Sequence, residues 1–113
     1  MEKMEIKHTE EGSIDIISIE GDLDLYGAPL LREKLNGLKS KGRDKIILNM
    51  ENVPYIDSSG LGLLLKSMIN GKIPYLFANL NTGIKHIFKM SGYKQVTTIY
   101  DTVEEAKNAF KNQ

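Results

Sequence analysis

The sequence has no cysteine in its 113 residues, so it can form no disulfide, zinc–thiolate site, iron–sulfur cluster or thiol nucleophile. Neither charge is in excess. Fifteen Lys and Arg stand against fifteen Asp and Glu, giving a formal net charge of zero. That balance excludes sequence-independent nucleic-acid binding as the default function, because a phosphate backbone is held by a basic surface. No apolar run approaches the length of a membrane span, and Met1–His8 carries no apolar core of a secretion signal. The expectation is a cytoplasmic protein without membrane insertion. His8 and His86 are the only histidines, and neither has a partner at triad or metal spacing, so both read as surface residues. No repeat, low-complexity tract or Gly/Pro-rich linker divides the chain. One domain over residues 1–113 is expected, its core spanning about 4–111. At this length folding buries roughly two-thirds of the chain's surface, so no metal or disulfide staple is required.

What is present is an ordered series of strand and helix signals. Met4–His8 reads as a short, weak edge strand. Ser13–Glu20 alternates with a phase slip at Ile16-Ile17, and its β-branched density predicts a strand. Glu11-Gly12 between them predicts a hairpin. Pro29 suits the first turn of a helix carrying Leu31, Leu35 and Leu38 on one face, and Gly42 ends it. Lys45–Met50 is an apolar run, as a central strand covered on both faces would be. After Pro54 a second helix begins near Asp57-Ser58, with Leu61, Leu64, Leu65 and Met68 as its apolar stripe and Gly71 and Pro74 as its stop. Tyr75–Ala78 predicts a strand. Asn81 caps a third helix bearing Ile84, Ile87 and Phe88, with Gly92 at its end. Thr97–Tyr100 reads as a last short strand. Thr102-Val103-Glu104-Glu105 has capping-box spacing and opens a fourth helix. The order ββαβαβα(β)α predicts an α/β fold with a mixed sheet.

Catalytic chemistry finds little support. Ser59-Gly60-Leu61-Gly62 places its glycines after the serine, which excludes a Gly-x-Ser-x-Gly elbow. Lys66 falls outside Walker spacing, and the third dinucleotide-fingerprint glycine is missing. Asp22 and Asp24 form an acidic pair at a strand end, readable as a magnesium site or as turn residues. Asp57-Ser58-Ser59-Gly60 is more informative. Asp or Ser at a helix start accepts bonds from the free N–H groups, and a hydroxyl there is exposed. A phosphate on it would meet those N–H groups and the positive end of the helix dipole. It would add roughly −1.5 to −2 charges at one surface point without melting the helix. With the apolar stripe turned inward, Leu63 points outward beside Ser59 and Lys66, as a partner anchor would.

Spread over nearly the whole chain, these segments resemble STAS domains, and within them the bacterial anti-sigma-factor antagonists. Gly21-Asp22-Leu23-Asp24 is similar to the family's Gly-x-Leu-Asp after the second strand, and Ile46–Met50 to its central strand. Tyr55-Ile56-Asp57-Ser58-Ser59-Gly60-Leu61-Gly62 matches its signature. Ile87–Gly92 and Asp101–Ala106 resemble the segments that end the third helix and open the last one. Between Gly62 and the third helix the chain is a few residues shorter than is usual in the family, which shortens the expected second helix before Gly71.

The resemblance implies a mixed sheet of four to five strands, with about four helices packed mainly on one side. It also implies a regulator, not an enzyme, with no cofactor and no metal. The unphosphorylated domain would bind an anti-sigma factor that is also a serine kinase, and so release the sigma factor. The kinase would phosphorylate the serine after the signature aspartate, here Ser58, with Ser59 as runner-up; a serine phosphatase would reset the switch. Asp24, Asp57, Ser59, Gly60, Leu63 and Lys66 would form the partner-binding surface. The alternative is a STAS subunit of a lipid-transport or stress-sensing assembly. A receiver domain with Asp57 as phosphoacceptor is disfavoured by the ββα opening, and a serine hydrolase by the lack of a general base.

Overall fold

The computed structural model describes residues 4–71, 75–90 and 98–112. Strands β1 (Glu5–Glu11) and β2 (Ile14–Glu20) form an antiparallel hairpin. Its turn passes through Gly12 at φ +61°, a conformation that suits glycine. β1 is longer than the Met4–His8 segment predicted, because it pairs residue for residue with β2 from Glu5↔Glu20 to Glu11↔Ile14. The chain continues through α1 (Ala28–Ser40), β3 (Lys45–Asn52), α2 (Ser58–Gly71), β4 (Leu76–Ala78), α3 (Thr82–Met90), β5 (Thr98–Tyr100) and α4 (Val103–Lys111). The sheet order is β1-β2-β3-β4-β5, antiparallel at β1–β2 and parallel from β2 onward. The expected mixed sheet is thus present. Pro74, Gly92, Thr97 and the side chain of Met68 lie outside the described residues.

Three helices cover one face and one covers the other. Leu31, Leu35 and Leu38 of α1, Leu63 and Leu64 of α2, and Ile84 and Phe88 of α3 pack on Ile17, Ile19, Ile46, Leu48 and Phe77. Phe88 meets Phe77 edge to face at 5.1 Å between centroids. On the opposite face Ala106 and Phe110 of α4 cover Ile14, Ile16, Ile47 and Leu76. This explains Ile16-Ile17. The strand does not slip phase there; both of its faces are buried, Ile16 beneath α4 and Ile17 beneath the other three helices. The register irregularity falls later, between Ser18 and Glu20.

The helix starts follow local chemistry. Pro29 occupies the first turn of α1. Asn81 Oδ1 accepts the Ile84 N–H at 2.8 Å, and Thr102 Oγ1 accepts the Glu105 N–H at 3.1 Å. Among the described residues no helix is long and apolar enough to cross a membrane.

His8 is not an isolated surface residue. Asp15 is the one charged side chain buried among the described residues. Its Oδ1 lies 2.7 Å from His8 Nε2, and its Oδ2 accepts from Arg43 Nε at 2.6 Å. Arg43 also donates through Nη2 to the Gly12 carbonyl at 3.1 Å. The cluster therefore ties the hairpin turn to the segment entering β3. Glu10 also lies close to His8 and Asp15, but with both Asp15 oxygens engaged and a guanidinium alongside, the group reads as a structural cross-link.

Candidate functional site

The loops that leave β2, β3 and β4 meet at the carboxyl ends of the parallel strands, the end where open α/β sheets place their ligands. After β2, Asp24 Oδ1 accepts the N–H groups of Tyr26 and Gly27, both at 3.0 Å, and its carbonyl accepts the Ala28 N–H at 2.8 Å. Asp24 is therefore a turn residue whose carboxylate is held by main chain. After β3, the Leu23 N–H donates to the Tyr55 carbonyl at 3.0 Å and the Asp57 N–H to the Leu23 carbonyl at 3.3 Å. Leu23 and Ile56 form a parallel bridge. Parallel pairing thus resumes beyond the ends of β2 and β3. The Asn81 side chain joins the third loop by donating to the carbonyls of Val53 and Pro54, each at 3.3 Å.

This lattice holds the start of α2. Asp57 Oδ1 accepts the Gly60 N–H at 2.9 Å, and its carbonyl accepts the Leu61 N–H at 3.0 Å. Of the Asp or Ser that the sequence offers at this helix start, Asp57 is the N-cap. Ser58 follows as the first helical residue, with an exposed side chain; Ser59 is half-buried. Gly60 is buried against the Leu23 backbone.

Leu63 corrects the sequence reading. It was expected to face outward, yet it is only 6% exposed and belongs to the core. The helical wheel assumes one buried stripe facing the sheet. α2 packs on α1 as well, so its buried arc widens to take in Leu63, Leu64 and Leu65, while Leu61 is half-buried. Leu63 lies along an open groove of about 620 Å³ between α1 and α2, which Ser58, Ser59, Gly62 and Lys66 also line. Leu63→Ala is therefore expected to cost about 2–3 kcal/mol of folding free energy, as a core truncation does. Urea unfolding measures it, and an unchanged midpoint would return Leu63 to the surface.

Of the exposed large apolar side chains, which include Leu30, Ile87 and Met90, three stand in the loops at this end of the sheet. Leu25 is 62% exposed, Tyr26 75% and Tyr55 54%. All three belong to the loops joined by Leu23, at the same sheet end as Ser58. Sequence reasoning missed them because a loop has no periodicity to assign a face. The consecutive Leu25-Tyr26 pair within a turn was the available signal.

The structure thus brings Asp24, Asp57, Ser58, Ser59 and Gly60 to one end of the sheet, with Lys66 about two turns further along α2 and Leu63 withdrawn into the core. Among known proteins, the STAS domain family model matches residues 5–106. The anti-sigma-B factor antagonist of Staphylococcus aureus (strain NCTC 8325 / PS 47) is 29% identical over 104 residues, covering 89% of this chain and 96% of that protein. Its Bacillus subtilis (strain 168) namesake is 35% identical over 86 residues, covering 74% and 78%. The Bacillus cell fate determinant SpoIIAA in its phosphorylated form has a TM-score of 0.72 at 24% identity, covering 96% of this chain and 99% of that one.

Proposed function

The chain belongs to the STAS-domain family, and from that membership we propose that it is an anti-sigma-factor antagonist switched by phosphorylation of Ser58. In its unphosphorylated form it binds an anti-sigma factor that is also a serine kinase, and the sigma factor is released. The kinase then modifies Ser58, the complex weakens, and a serine phosphatase restores the resting state. The protein acts in the cytoplasm as a binding module without catalytic turnover. The name shared by its S. aureus and B. subtilis relatives supports this reading.

The observation that carries it is the exposed Ser58 side chain on the first residue of a capped helix, fixed by loops that are themselves hydrogen-bonded together. A phosphate there has the positive end of the helix dipole beside it and stands on an exposed side chain, so the fold need not open to accept it. That a protein of the same fold has a solved phosphorylated form fits this expectation. At an interface the same group is disfavoured, because a multiply charged anion must be desolvated next to Asp57 and Asp24. Leu25, Tyr26 and Tyr55 take over the anchoring role first assigned to Leu63, with Asp24, Asp57, Ser59, Gly60 and Lys66 around them.

Incubation with the cognate kinase and ATP, followed by peptide mass spectrometry, is expected to place one phosphate on Ser58. No phosphate would end the regulatory reading, and a phosphate on Ser59 alone would move the site by one residue. Ser58→Asp is expected to weaken kinase binding tenfold or more, about 1.4 kcal/mol, with a melting temperature near wild type. Equal affinities by calorimetry would remove the electrostatic mechanism.

A further inference from the structure

The groove between α1 and α2 is cationic. Arg32 and Lys39 of α1 and Lys66 of α2 line it, and among the described residues no acidic side chain does. In a chain with equal numbers of acids and bases this is a local segregation. Glu33, the neighbour of Arg32, lines a different groove with Lys34 and His8, between α1 and β1. Lys7, Arg43, Lys85 and Lys107 are each ion-paired. Among the described residues Arg32, Lys39 and Lys66 have no such partner.

Ser58 and Ser59 line this same groove, with Ala28 and Pro29 opposite them. α1 and α2 each follow a strand in the parallel part of the sheet and cover the same face, so their N-termini lie at one end. Arg32 is one helical turn beyond Ala28, roughly 6 Å along the axis, and Lys66 about 10 Å beyond Ser59. The loops at that end carry the acids Asp22, Asp24 and Asp57, and the carboxylates of Asp24 and Asp57 already hold main-chain N–H groups. An anion on Ser58 is therefore repelled on the loop side and attracted on the groove side.

We propose that the α1–α2 groove receives the phosphoryl group of Ser58 within the same chain, with Arg32 as its nearest partner and Lys66 as the second charge. This rests on the reading of Ser58 as the modified residue and adds where the phosphate goes. The switch then changes two features at once: it places an anion beside the exposed apolar loops, and it neutralises cations that the resting protein displays. Arginine suits the role, because its planar fork meets phosphate oxygens in pairs.

The test is a phosphorus NMR pH titration of the full chain with phosphoserine installed at position 58 during translation, so that no kinase is needed. The second phosphate pKa is expected to lie lower in this chain than in its Arg32→Gln variant by about half a unit or more, since a nearby cation favours the dianion. Lys34→Gln removes the same charge from the other groove and is expected to leave the titration unchanged. Equal pKa values for Arg32→Gln and the parent would overturn the proposal, and so would an equal shift from Lys34→Gln. Failure of the kinase to modify Ser58 would count against the switch reading and leave this titration intact.

Discussion

A Gly60→Ala chain is expected to lose about 3 kcal/mol of folding free energy, at the upper end of what overpacking costs. A methyl group on Gly60 would be driven into the Leu23 carbonyl oxygen, and would sit 2.9 Å from Leu23 Cγ and 3.0 Å from its carbonyl carbon. Leu23 cannot yield. Its N–H and C=O are committed to Tyr55 and Asp57, it bridges to Ile56, and its side chain is fully buried. Relief requires moving the start of α2 off the β2–α1 loop, which displaces Ser58 and Asp57 together. Gly62, two residues on, has no atom within 4 Å of where its methyl group would go. Gly62→Ala is therefore expected to gain up to about 1 kcal/mol from helix propensity alone. Thermal melts should separate the two alanine variants by roughly 10 °C or more. Coincident melting temperatures would show that the helix start is not clamped against Leu23.

Asp15→Ala is expected to destabilise the fold, because it removes the buried carboxylate that His8 and Arg43 both engage. The pH dependence identifies the cause. Burial pushes the Asp15 carboxyl up, while hydrogen bonds from Arg43 and His8 pull it down, and the net result lies below the ordinary aspartate value. A carboxyl lowered on folding contributes stability that is complete above its unfolded value, about 3.9, and is lost as pH falls through its folded value. Urea unfolding at neutral pH and near pH 3 should therefore show the deficit of Asp15→Ala shrinking at the lower pH. A deficit of equal size at both would mean that the buried charge is not what stabilises the cluster.

The features legible in the sequence are those whose cause is local. Pro29 with Leu31, Leu35 and Leu38 defines α1 because a helix period needs only neighbours three and four residues apart. Asp57, Asn81 and Thr102 mark helix starts because a capping bond spans three residues. For the same reason the candidate site was legible at Asp57-Ser58-Ser59-Gly60 as an exposed hydroxyl on a capped end. The hairpin was visible at Gly12, although its strand ran past His8, since pairing with β2 extended a segment that is weak by itself.

Other features depend on what packs against what. Leu63 reads as outward-facing if α2 meets the sheet alone; the second contact, with α1, buries it. Ile16-Ile17 reads as a slipped phase in the sequence because the burial of its second face depends on α4, at the far end of the chain. His8 looked solitary because its partners are Asp15, across a hairpin, and through it Arg43, 28 residues further on.

The sequence by itself determined the order of elements, where each capped helix begins, and that Ser58 stands exposed at one of those beginnings, because backbone propensity and capping are short-range. Only the tertiary structure decided which arc of α2 is buried, that Leu25, Tyr26 and Tyr55 share an end of the sheet with that serine, and that Arg32, Lys39 and Lys66 share a groove that no acid lines among the described residues. Those facts depend on which faces two separate elements turn toward each other, and the periodicity of one element carries no record of its neighbour.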